Sequence, residues 1–288
     1  MKYHIPVLLP EVIKAINPQP NQIFLDCTLG HAGHTIEILK KGATVYGLDT
    51  DDSNQKIAVE RIDSLGLSSN FYPLKGNFSQ ITTIWKKHIH QKIDGLILDL
   101  GLSSNQQSGI SRGFSFNDPN SLDMRLNPKT QKLTAEEIIN TWDRDQLYQI
   151  FTKYAQEKLA KPLAFEIVRE RQLSPIKSGL RLGQIVEAYY QKKHYRSLRH
   201  PATQIFLALR IVVNQEFTSL EKVLNASLKI CQPGSTVAVI SFHSGEDRIV
   251  KQFIVKHHLS SQKITPTYLE TKENPLSRSA VLRIYRTS

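Results

Sequence analysis

Cysteine is scarce in this sequence, and long apolar runs are absent from it. Only Cys27 and Cys231 occur in 288 residues, too few for a disulfide framework or a zinc site with four cysteine ligands. No run of 18 apolar residues is present, so we predict no transmembrane helix. The segment Met1–Ile16 holds only short apolar stretches, unlike a secretory signal. We therefore expect a protein of the reducing cytoplasm.

Two nucleotide-binding motifs are also absent. The chain contains neither the G-x-G-x-x-G fingerprint nor the G-x-x-x-x-G-K-[ST] phosphate loop. Because these motifs cradle phosphate groups, their absence disfavours an NAD-dependent oxidoreductase and a P-loop nucleotide hydrolase. We also predict no metal site.

Positive charge is in excess, and it is localised. The chain carries 37 Lys and Arg against 26 Asp and Glu. Residues 1–128 are balanced, with 12 basic and 12 acidic side chains, whereas residues 129–200 hold 14 and 8, and residues 248–288 hold 8 and 2. Two separate basic blocks favour a surface for a polyanion. A solvated basic face without a partner is the simpler alternative.

The first hundred residues alternate strand and helix signals. Short apolar runs are separated by helix-length segments, which is typical of an α/β fold with a doubly wound, mostly parallel sheet. The predicted strands are Ile23–Leu25, Thr44–Leu48, Phe71–Leu74 and Ile93–Leu100, and the predicted helices are Thr35–Lys40, Ser53–Leu65 and Ser79–His90, with Ser53 and Ser79 as N-caps.

A helical insertion interrupts this alternation. Apolar side chains recur at helical spacing after residue 134, and strands return only near the C-terminus. The predicted elements are helices within 134–200 capped by Thr134 and Asp143, one long helical stretch over 201–230, strands at Thr236–Phe242 and Ala280–Tyr285, and a helix at Glu246–His258. We therefore predict an α/β domain of residues 1–104 and 201–288, with a helical domain at 105–200 inserted into it.

A turn after the first strand has the residues of a nucleoside site. The segment Asp26–His34 follows a strand and opens a helix, and Gly30 and Gly33 permit a tight turn with close approach of a ligand. Asp49 ends the next strand, where a doubly wound fold places a carboxylate against ribose hydroxyls. The turn favours S-adenosylmethionine over NAD, because this methyl donor carries ribose and adenine but no phosphate. An ordinary strand–turn–helix connection is the alternative.

Polar residues also follow two later strands. Asp99, Ser103, Ser104 and Gln106 lie at or after the end of the fourth strand, and Ser241–Arg248, which includes His243, follows a later strand. The carboxyl ends of parallel strands are where open α/β sheets bind ligands. Acidic residues in the second cluster could instead stabilise a helix N-terminus.

Together, these segments resemble the MraW family of small-subunit ribosomal RNA methyltransferases. The matching stretches, in the family's order, are His4–Leu9, Asp26–Thr35, Gly95–Ser104, Arg112–Phe116, Leu122–Arg125, His200–Thr203, Ala208–Asn214, Val239–Ser244, Glu246–Lys251 and Asn274–Pro275. The chain departs from the family at Ala32, Asn105 and Gly245, where glycine, proline and leucine are usual.

The resemblance implies a class I methyltransferase fold, with a Rossmann-like sheet and S-adenosylmethionine as its cofactor. It also implies methylation of N4 of a cytidine in the decoding, or P-site, region of 16S ribosomal RNA, within the small ribosomal subunit. The donor-binding positions that it implies are Ala32, Gly33, His34, Asp49, Phe78, Asp99 and Gln106.

The acceptor chemistry points to a second set of residues. The exocyclic amine of cytosine is a poor nucleophile, since its lone pair is delocalised, so acceptors must orient its N–H bonds and support developing positive charge. The (Asp/Asn)-Pro-Pro-aromatic motif of many amino-methylating enzymes is absent after the fourth strand. Our candidates for the amine site are Asp99, Ser103 and His243.

The end of the insertion combines basic and aromatic residues. The segment Ala188–His200 has four Lys or Arg, no acidic residue and three tyrosines. Such residues neutralise phosphates and stack on bases, although a solvated helix end with core tyrosines is the alternative. The predicted RNA contacts are Lys192, Lys193, Tyr195, Arg196 and Arg199.

Two other functions remain open at this point. One is a DNA amino-methyltransferase, and the other is a non-catalytic RNA-binding factor of ribosome assembly. The sequence leaves the oligomeric state open, a homodimer included, and predicts no membrane partner.

Overall fold

The strands that the structure describes lie in one mixed sheet. The computed structural model describes residues 5–103, 106, 112–195 and 200–288. The strands are β1 (Ile23–Asp26), β2 (Thr44–Asp49), β3 (Phe71–Lys75), β4 (Ile93–Asp99), β5 (Cys231–Ser241), β6 (Ser261–Ile264) and β7 (Val281–Arg286). Their order is β3-β2-β1-β4-β5-β7-β6, and β7 runs antiparallel to both of its neighbours. The predicted doubly wound, mostly parallel α/β sheet is confirmed.

Helices surround the sheet and form a second unit. The described helices are α1 (Leu9–Ile16), α2 (Gly33–Leu39), α3 (Asp52–Ser64), α4 (Ile81–His88), α5 (Ala135–Thr141), α6 (Arg144–Ala155), α7 (Ala160–Leu173), α8 (Gly179–Lys192), α9 (Thr203–Asn214), α10 (Glu216–Ile230), α11 (Ser244–Lys256) and α12 (Tyr268–Glu273). The first unit comprises residues 1–103 and 217–288, and the second comprises residues 104–216. Among the described residues, no helix has both the length and the apolar character needed to cross a membrane.

Successive side chains of the central strand β4 point to opposite faces of the sheet and belong to two separate hydrophobic cores in the first unit. Leu96 and Leu98 of β4 belong to the core that α4, α10 and α11 complete, whereas Ile97 belongs to the core that α1, α2 and α3 complete. Both faces of β4 are therefore covered, which is why this strand has an almost continuous apolar sequence. The polar side chains of β4, Asp94 and Asp99, consequently lie near its two ends.

The helix caps predicted for the second unit are confirmed. Thr134 Oγ1 accepts a hydrogen bond from the Glu137 N–H at 3.0 Å. Asp143 Oδ1 accepts one from the Gln146 N–H at 2.8 Å, and Gln146 Oε1 accepts the Asp143 N–H at 2.8 Å. These reciprocal bonds satisfy N–H groups that the first helical turn leaves without partners.

The caps predicted for the first unit are wrong. Asp51 caps α3 by accepting the Ser53 N–H at 3.0 Å, and Asn77 accepts the Ser79 N–H at 2.8 Å before α4. Each cap thus lies two residues before the predicted serine, because the side chains of Asp and Asn accept from the second following N–H group.

The prediction of one helical stretch over 201–230 is also wrong. Gln215 has a left-handed φ of 50° and ends α9, and Arg210 Nε donates to Glu216 Oε1 at 2.8 Å across the corner. Leu209 packs in the core of the second unit. This unit therefore extends to residue 216, rather than to residue 200 as the predicted insertion does.

Three elements have no counterpart among the predictions: α1, β6 and α12. Helix α1 has Pro10 in its first turn, a position that tolerates proline because the N–H group there has no helical partner. Strand β6 (Ser-Gln-Lys-Ile) is largely exposed, so it lacks the apolar alternation that marks a half-buried strand.

The backbone at Gly113 leaves no room for a side chain. Its φ is 74°, and a Cβ would lie 2.4 Å from Asp123 N and 2.6 Å from Leu122 Cα. We predict that Gly113→Ala destabilises the second unit by about 2–5 kcal/mol, as the sum of left-handed strain and overpacking. The matched control is Gly66→Ala, since Gly66 has a φ of 68° but nothing within 4 Å, and it should lose about 1–2 kcal/mol. Differential scanning calorimetry compares the two variants, and equal losses would contradict the steric argument.

Candidate functional site

The carboxyl ends of four parallel strands meet at one edge of the sheet in the first unit. Strands β2, β1, β4 and β5 are consecutive in the sheet and end in Asp49, Asp26, Asp99 and Ser241. The strand order reverses between β1 and β4, and open α/β sheets bind their ligands at such a switch point. The predicted polar strand ends therefore lie on neighbouring strands.

A buried carboxyl group shapes the turn between β1 and α2. Asp26 is 2% exposed. Its Oδ1 accepts the Thr28 N–H at 3.1 Å, and its Oδ2 accepts the Thr35 hydroxyl at 2.7 Å. Burial raises the pKa of Asp26, and both hydrogen bonds oppose that shift. One side chain thus holds both ends of the turn.

The backbone of this turn is left-handed at Gly30 and Ala32. Their φ angles are 50° and 62°. Glycine adopts this conformation without a steric penalty, and Ala32 adopts it where the resembling family usually has glycine. At Gly33, a Cβ would lie 2.2 Å from Pro6 Cγ. The glycine therefore admits close packing of the N-terminal segment against the start of α2.

Asp49 is hydrogen-bonded directly to this turn. Its Oδ2 accepts the Gly30 N–H at 2.9 Å and Asn54 Nδ2 at 3.2 Å, and its Oδ1 accepts the Asp51 N–H at 2.8 Å. Burial raises the pKa of Asp49 to about 6, although all three hydrogen bonds lower it. A carboxylate offers about four acceptor sites, so these three bonds leave Oδ1 with capacity for a ligand hydroxyl.

Phe78 follows the loop that leaves β3. The Gly76 N–H donates to the Asp49 carbonyl oxygen at 3.1 Å, and the Thr50 hydroxyl donates to the Gly76 carbonyl oxygen at 3.0 Å. These bonds join the loop to the end of β2. Phe78 begins a short 3₁₀ turn two residues later and is half-buried.

Asp99 ends β4 beside the same turn. Its N–H donates to Thr28 Oγ1 at 2.6 Å, and its Oδ2 lies 3.9 Å from Nδ1 of His34. His34 is buried, and its Nε2 lies 3.1 Å from the Val7 carbonyl oxygen. The Asp99 side chain is 24% exposed, so a ligand can reach this carboxyl group.

Two further predicted site residues, Ser103 and Gln106, belong to different units. Ser103 is half-buried in the first unit, and Gln106 is buried in the second. Their roles in binding or catalysis stay predictions.

His243 caps α11. Its Nδ1 accepts the Glu246 N–H at 3.4 Å, and Glu246 Oε2 accepts the Phe242 N–H at 2.8 Å. A Cβ at Gly245 would lie 2.5 Å from the Phe217 ring and 3.1 Å from His243 Nδ1, so glycine keeps the cap compact. His243 thus has a structural role, and its catalytic role stays a prediction.

The predicted RNA residues that the structure describes lie at the end of α8 in the second unit. Lys192 and Lys193 are exposed, and Tyr195 is 38% exposed. Tyr189 and Tyr190 are buried in the helical core, as the alternative interpretation of this segment expects. Arg196 and Arg199 lie outside the described residues.

A cleft of about 500 Å³ opens beside these residues. Its lining includes Tyr190, Gln191, His194, Tyr195 and Pro201. The Tyr190 hydroxyl donates to Glu157 Oε1 at 2.7 Å, and the exposed Tyr195 ring stands edge-on to Tyr190 with a centroid distance of 5.5 Å. The second unit therefore presents an aromatic ring next to two lysines.

Sequence reasoning missed several residues that hold the site together. Pro6 and Val7 contact the start of α2, and Thr28 and Thr35 hydrogen-bond to strand-end aspartates. The two threonines lie inside or next to the predicted turn, so their hydroxyl groups were an available signal. The contacts of Pro6 and Val7 depend on tertiary packing and have no local signal.

Comparisons with known proteins agree with this architecture. The sequence profile of the MraW methylase family matches residues 1–288. A ribosomal RNA small subunit methyltransferase H from Methylacidiphilum infernorum is 38% identical to the chain, over 98% of the chain and 93% of the relative. The protein of the same name from Mycoplasma capricolum is 37% identical, over 98% of each chain.

A solved structure from Clostridium thermocellum, provisionally described as an rRNA methylase, has a TM-score of 0.50 and 10% identity, and the match covers 99% of each chain. At this identity the likeness concerns the fold alone. The full-length family match and the two relatives show that the chain belongs to the MraW methylase family, with the class I fold and the S-adenosylmethionine cofactor that its sequence predicts.

Proposed function

We propose that the chain transfers a methyl group from S-adenosylmethionine to N4 of a cytidine in the decoding region of 16S ribosomal RNA, carried by a small ribosomal subunit in the cytoplasm. The observation that carries the proposal is the accessible carboxyl group of Asp99 at the switch point of a MraW-family sheet. The substrate class comes from relatives named as small-subunit ribosomal RNA methyltransferases.

The donor site consists of the β1–α2 turn and the ends of β2 and β4. The left-handed backbone at Gly30 and Ala32 lets a ligand approach the main chain, and Gly33 and His34 continue it into α2. Asp49 accepts a ribose hydroxyl through Oδ1, which is the chemistry that a vicinal diol requires. The further donor residues that we propose are Phe78, against adenine, together with Asp99 and Gln106.

Asp99 is the residue that we propose to touch the target amine. When bound, S-adenosylmethionine supplies an electrophilic methyl group. Asp99 accepts an N–H of the cytosine amine, orients the N4 lone pair and stabilises the positive charge that develops on N4. Its backbone bond to Thr28 fixes the end of β4 for this role. Ser103 and His243 are further candidates for contact with the base.

The RNA surface that we propose includes the end of α8. Lys192 and Lys193 neutralise phosphates, and the accessible ring of Tyr195 stacks on an unpaired base. Stacking on a splayed base is the usual way in which proteins recognise single-stranded RNA. The phosphates of the RNA are thus the proposed partner of the positive charge of residues 129–200. The methyl donor is itself cationic, so its binding does not require a basic surface.

Asp49 makes donor binding depend on pH. Because burial raises the pKa of Asp49 to about 6, its carboxylate loses acceptor capacity below that pH. We predict that the Kd for S-adenosylmethionine rises as pH falls through 6, approaching about tenfold per pH unit. Calorimetric titration between pH 5 and 8 measures this. Asp49→Asn should bind more weakly at pH 7.5 and show no such dependence, and a flat wild-type profile would argue against the assignment.

The two lysines at the end of α8 contribute to the salt dependence of RNA binding. We predict that Lys192→Gln with Lys193→Gln weakens binding and lowers the slope of log K against log salt by about 1.4, the value for two contacts on single-stranded RNA. Filter binding at several salt concentrations gives the slope. Lys86 and Lys87 are also adjacent, exposed and at the end of a helix, so their double Gln variant is the control. An unchanged slope in the α8 variant counts against this surface.

The reaction itself is tested with labelled donor and small subunits from cells that lack this protein. We predict N4-methylcytidine in 16S ribosomal RNA by mass spectrometry, and a fall of about 10²–10³-fold in the single-turnover rate for Asp99→Asn at saturating donor. The amide keeps the size of the side chain but loses its charge.

Two outcomes would contradict this function, and a third would contradict the role of Asp99. Methylation of duplex DNA instead would support a DNA amino-methyltransferase. Subunit binding without methylation, unaffected by Asp49→Asn, would support an assembly factor. N4-methylcytidine formed at an undiminished rate by Asp99→Asn would remove Asp99 from the amine site.

A further inference from the structure

His34 lies behind Asp99, and its two ring nitrogens have different neighbours. Nε2 lies 3.1 Å from the carbonyl oxygen of Val7. Because a carbonyl oxygen can only accept, Nε2 carries the hydrogen of the neutral ring. Nδ1 lies 3.9 Å from Asp99 Oδ2. The Val7 contact therefore selects the tautomer in which Nδ1 presents a lone pair on the side of Asp99.

The charged groups around His34 come from the ends of two strands. Asp26 ends β1 and Asp99 ends β4, while the described part of the segment before α1 contributes the Val7 carbonyl group. The Glu270 carboxyl group is occupied with the Leu8 N–H at 2.7 Å. Burial lowers the pKa of His34, and the Asp26 charge and the Val7 bond oppose that shift. The ring is therefore neutral in the resting site.

The neutral His34 ring and the Asp99 carboxyl group are placed where they could share one proton. At 3.9 Å no hydrogen bond joins Nδ1 to Oδ2, and both atoms are acceptors whenever the carboxyl group carries no proton. One proton placed between them would convert this repulsion into a hydrogen bond, after an approach of about 1 Å. The pair is thus built to receive a single proton on the side of the site where the target amine is proposed to lie.

We propose that His34 is a positioning residue through which Asp99 disposes of the proton released by the methylated amine. The inference rests on the proposed function. The N4 lone pair forms a bond to the methyl carbon while the carbon–sulfur bond breaks and its electron pair passes to sulfur. N4 then loses a proton to Asp99 Oδ2, which shares it with His34 Nδ1 before its release to solvent. The positive charge that the sulfonium carries passes to N4 with the methyl group, and it leaves the site with the released proton.

The test is His34→Gln, assayed by single-turnover methylation of small subunits at saturating donor. The glutamine amide can still donate to Val7, but its carbonyl oxygen is far less basic than Nδ1 and cannot take up the proton. We expect the rate at pH 7.5 to fall by about 10²-fold, the lower end of what a positioned proton acceptor contributes. The acid limb of the rate profile should move to lower pH, because the variant loses an acceptor that favours protonated Asp99. Donor Kd is measured in parallel, since His34 is also one of the proposed donor residues.

The control is His88→Gln, since His88 is an exposed histidine at the end of α4, and it should match the wild type. Wild-type rate and acid limb in His34→Gln would overturn the proton route alone. A rate loss fully explained by weaker donor binding would do the same. Absence of N4-methylcytidine with the wild-type protein would instead overturn the proposed function together with the route.

A second measurement needs no variant and therefore holds even if His34→Gln fails to fold. Nitrogen NMR of the wild-type protein labelled at histidine reports the tautomer of each ring. We expect His34 as the neutral ring with hydrogen on Nε2 near pH 7. A ring with hydrogen on Nδ1, or an imidazolium at this pH, would contradict the proposal.

Discussion

The buried carboxyl group of Asp26 is the constraint on which the rest of the site depends. It accepts hydrogen bonds from Thr28 and Thr35 at the two ends of one turn. Thr28 in turn receives the Asp99 N–H, and the turn that Asp26 holds delivers the Gly30 N–H to Asp49. A buried carboxyl group costs free energy unless it is hydrogen-bonded. The same bonds that offset this cost therefore help to hold the ends of β1, β2 and β4 next to one turn.

The charge distribution along the chain fits the two ligands of the proposed function. Residues 1–128, which contain the donor turn and three strand-end aspartates, carry no net charge, whereas the two basic blocks lie at 129–200 and 248–288. A small cationic donor is recognised by a few directed acceptors at short range. A ribosomal RNA substrate requires many cations spread over a surface, because its affinity depends mainly on phosphate neutralisation. The proposed function thus assigns the two recognition problems to different parts of the chain.

The strand ends were predictable because parallel strands that are buried on both faces have nearly continuous apolar sequences, as in Ile93–Leu100. The turn after β1 was predictable because glycine spacing and strand-end aspartates are local signals. Gln215, by contrast, adopts a left-handed backbone with no sequence signal, since glutamine is a good helix former. The contacts of Pro6 with Gly33 and of Val7 with His34 join segments 27 residues apart, and only tertiary packing reveals them. His243 was predicted as a candidate for chemistry, but the structure shows it first as a helix cap.

The most direct measurement of the account is a crystal structure of the protein with S-adenosylhomocysteine and a short cytidine-containing RNA. The account predicts ribose hydroxyls on Asp49, the sulfur atom beside the β1–α2 turn, and the cytosine amine within hydrogen-bond distance of Asp99. A ligand whose ribose lies away from Asp49, or a cytosine held in the donor's reach by groups other than Asp99, would contradict it.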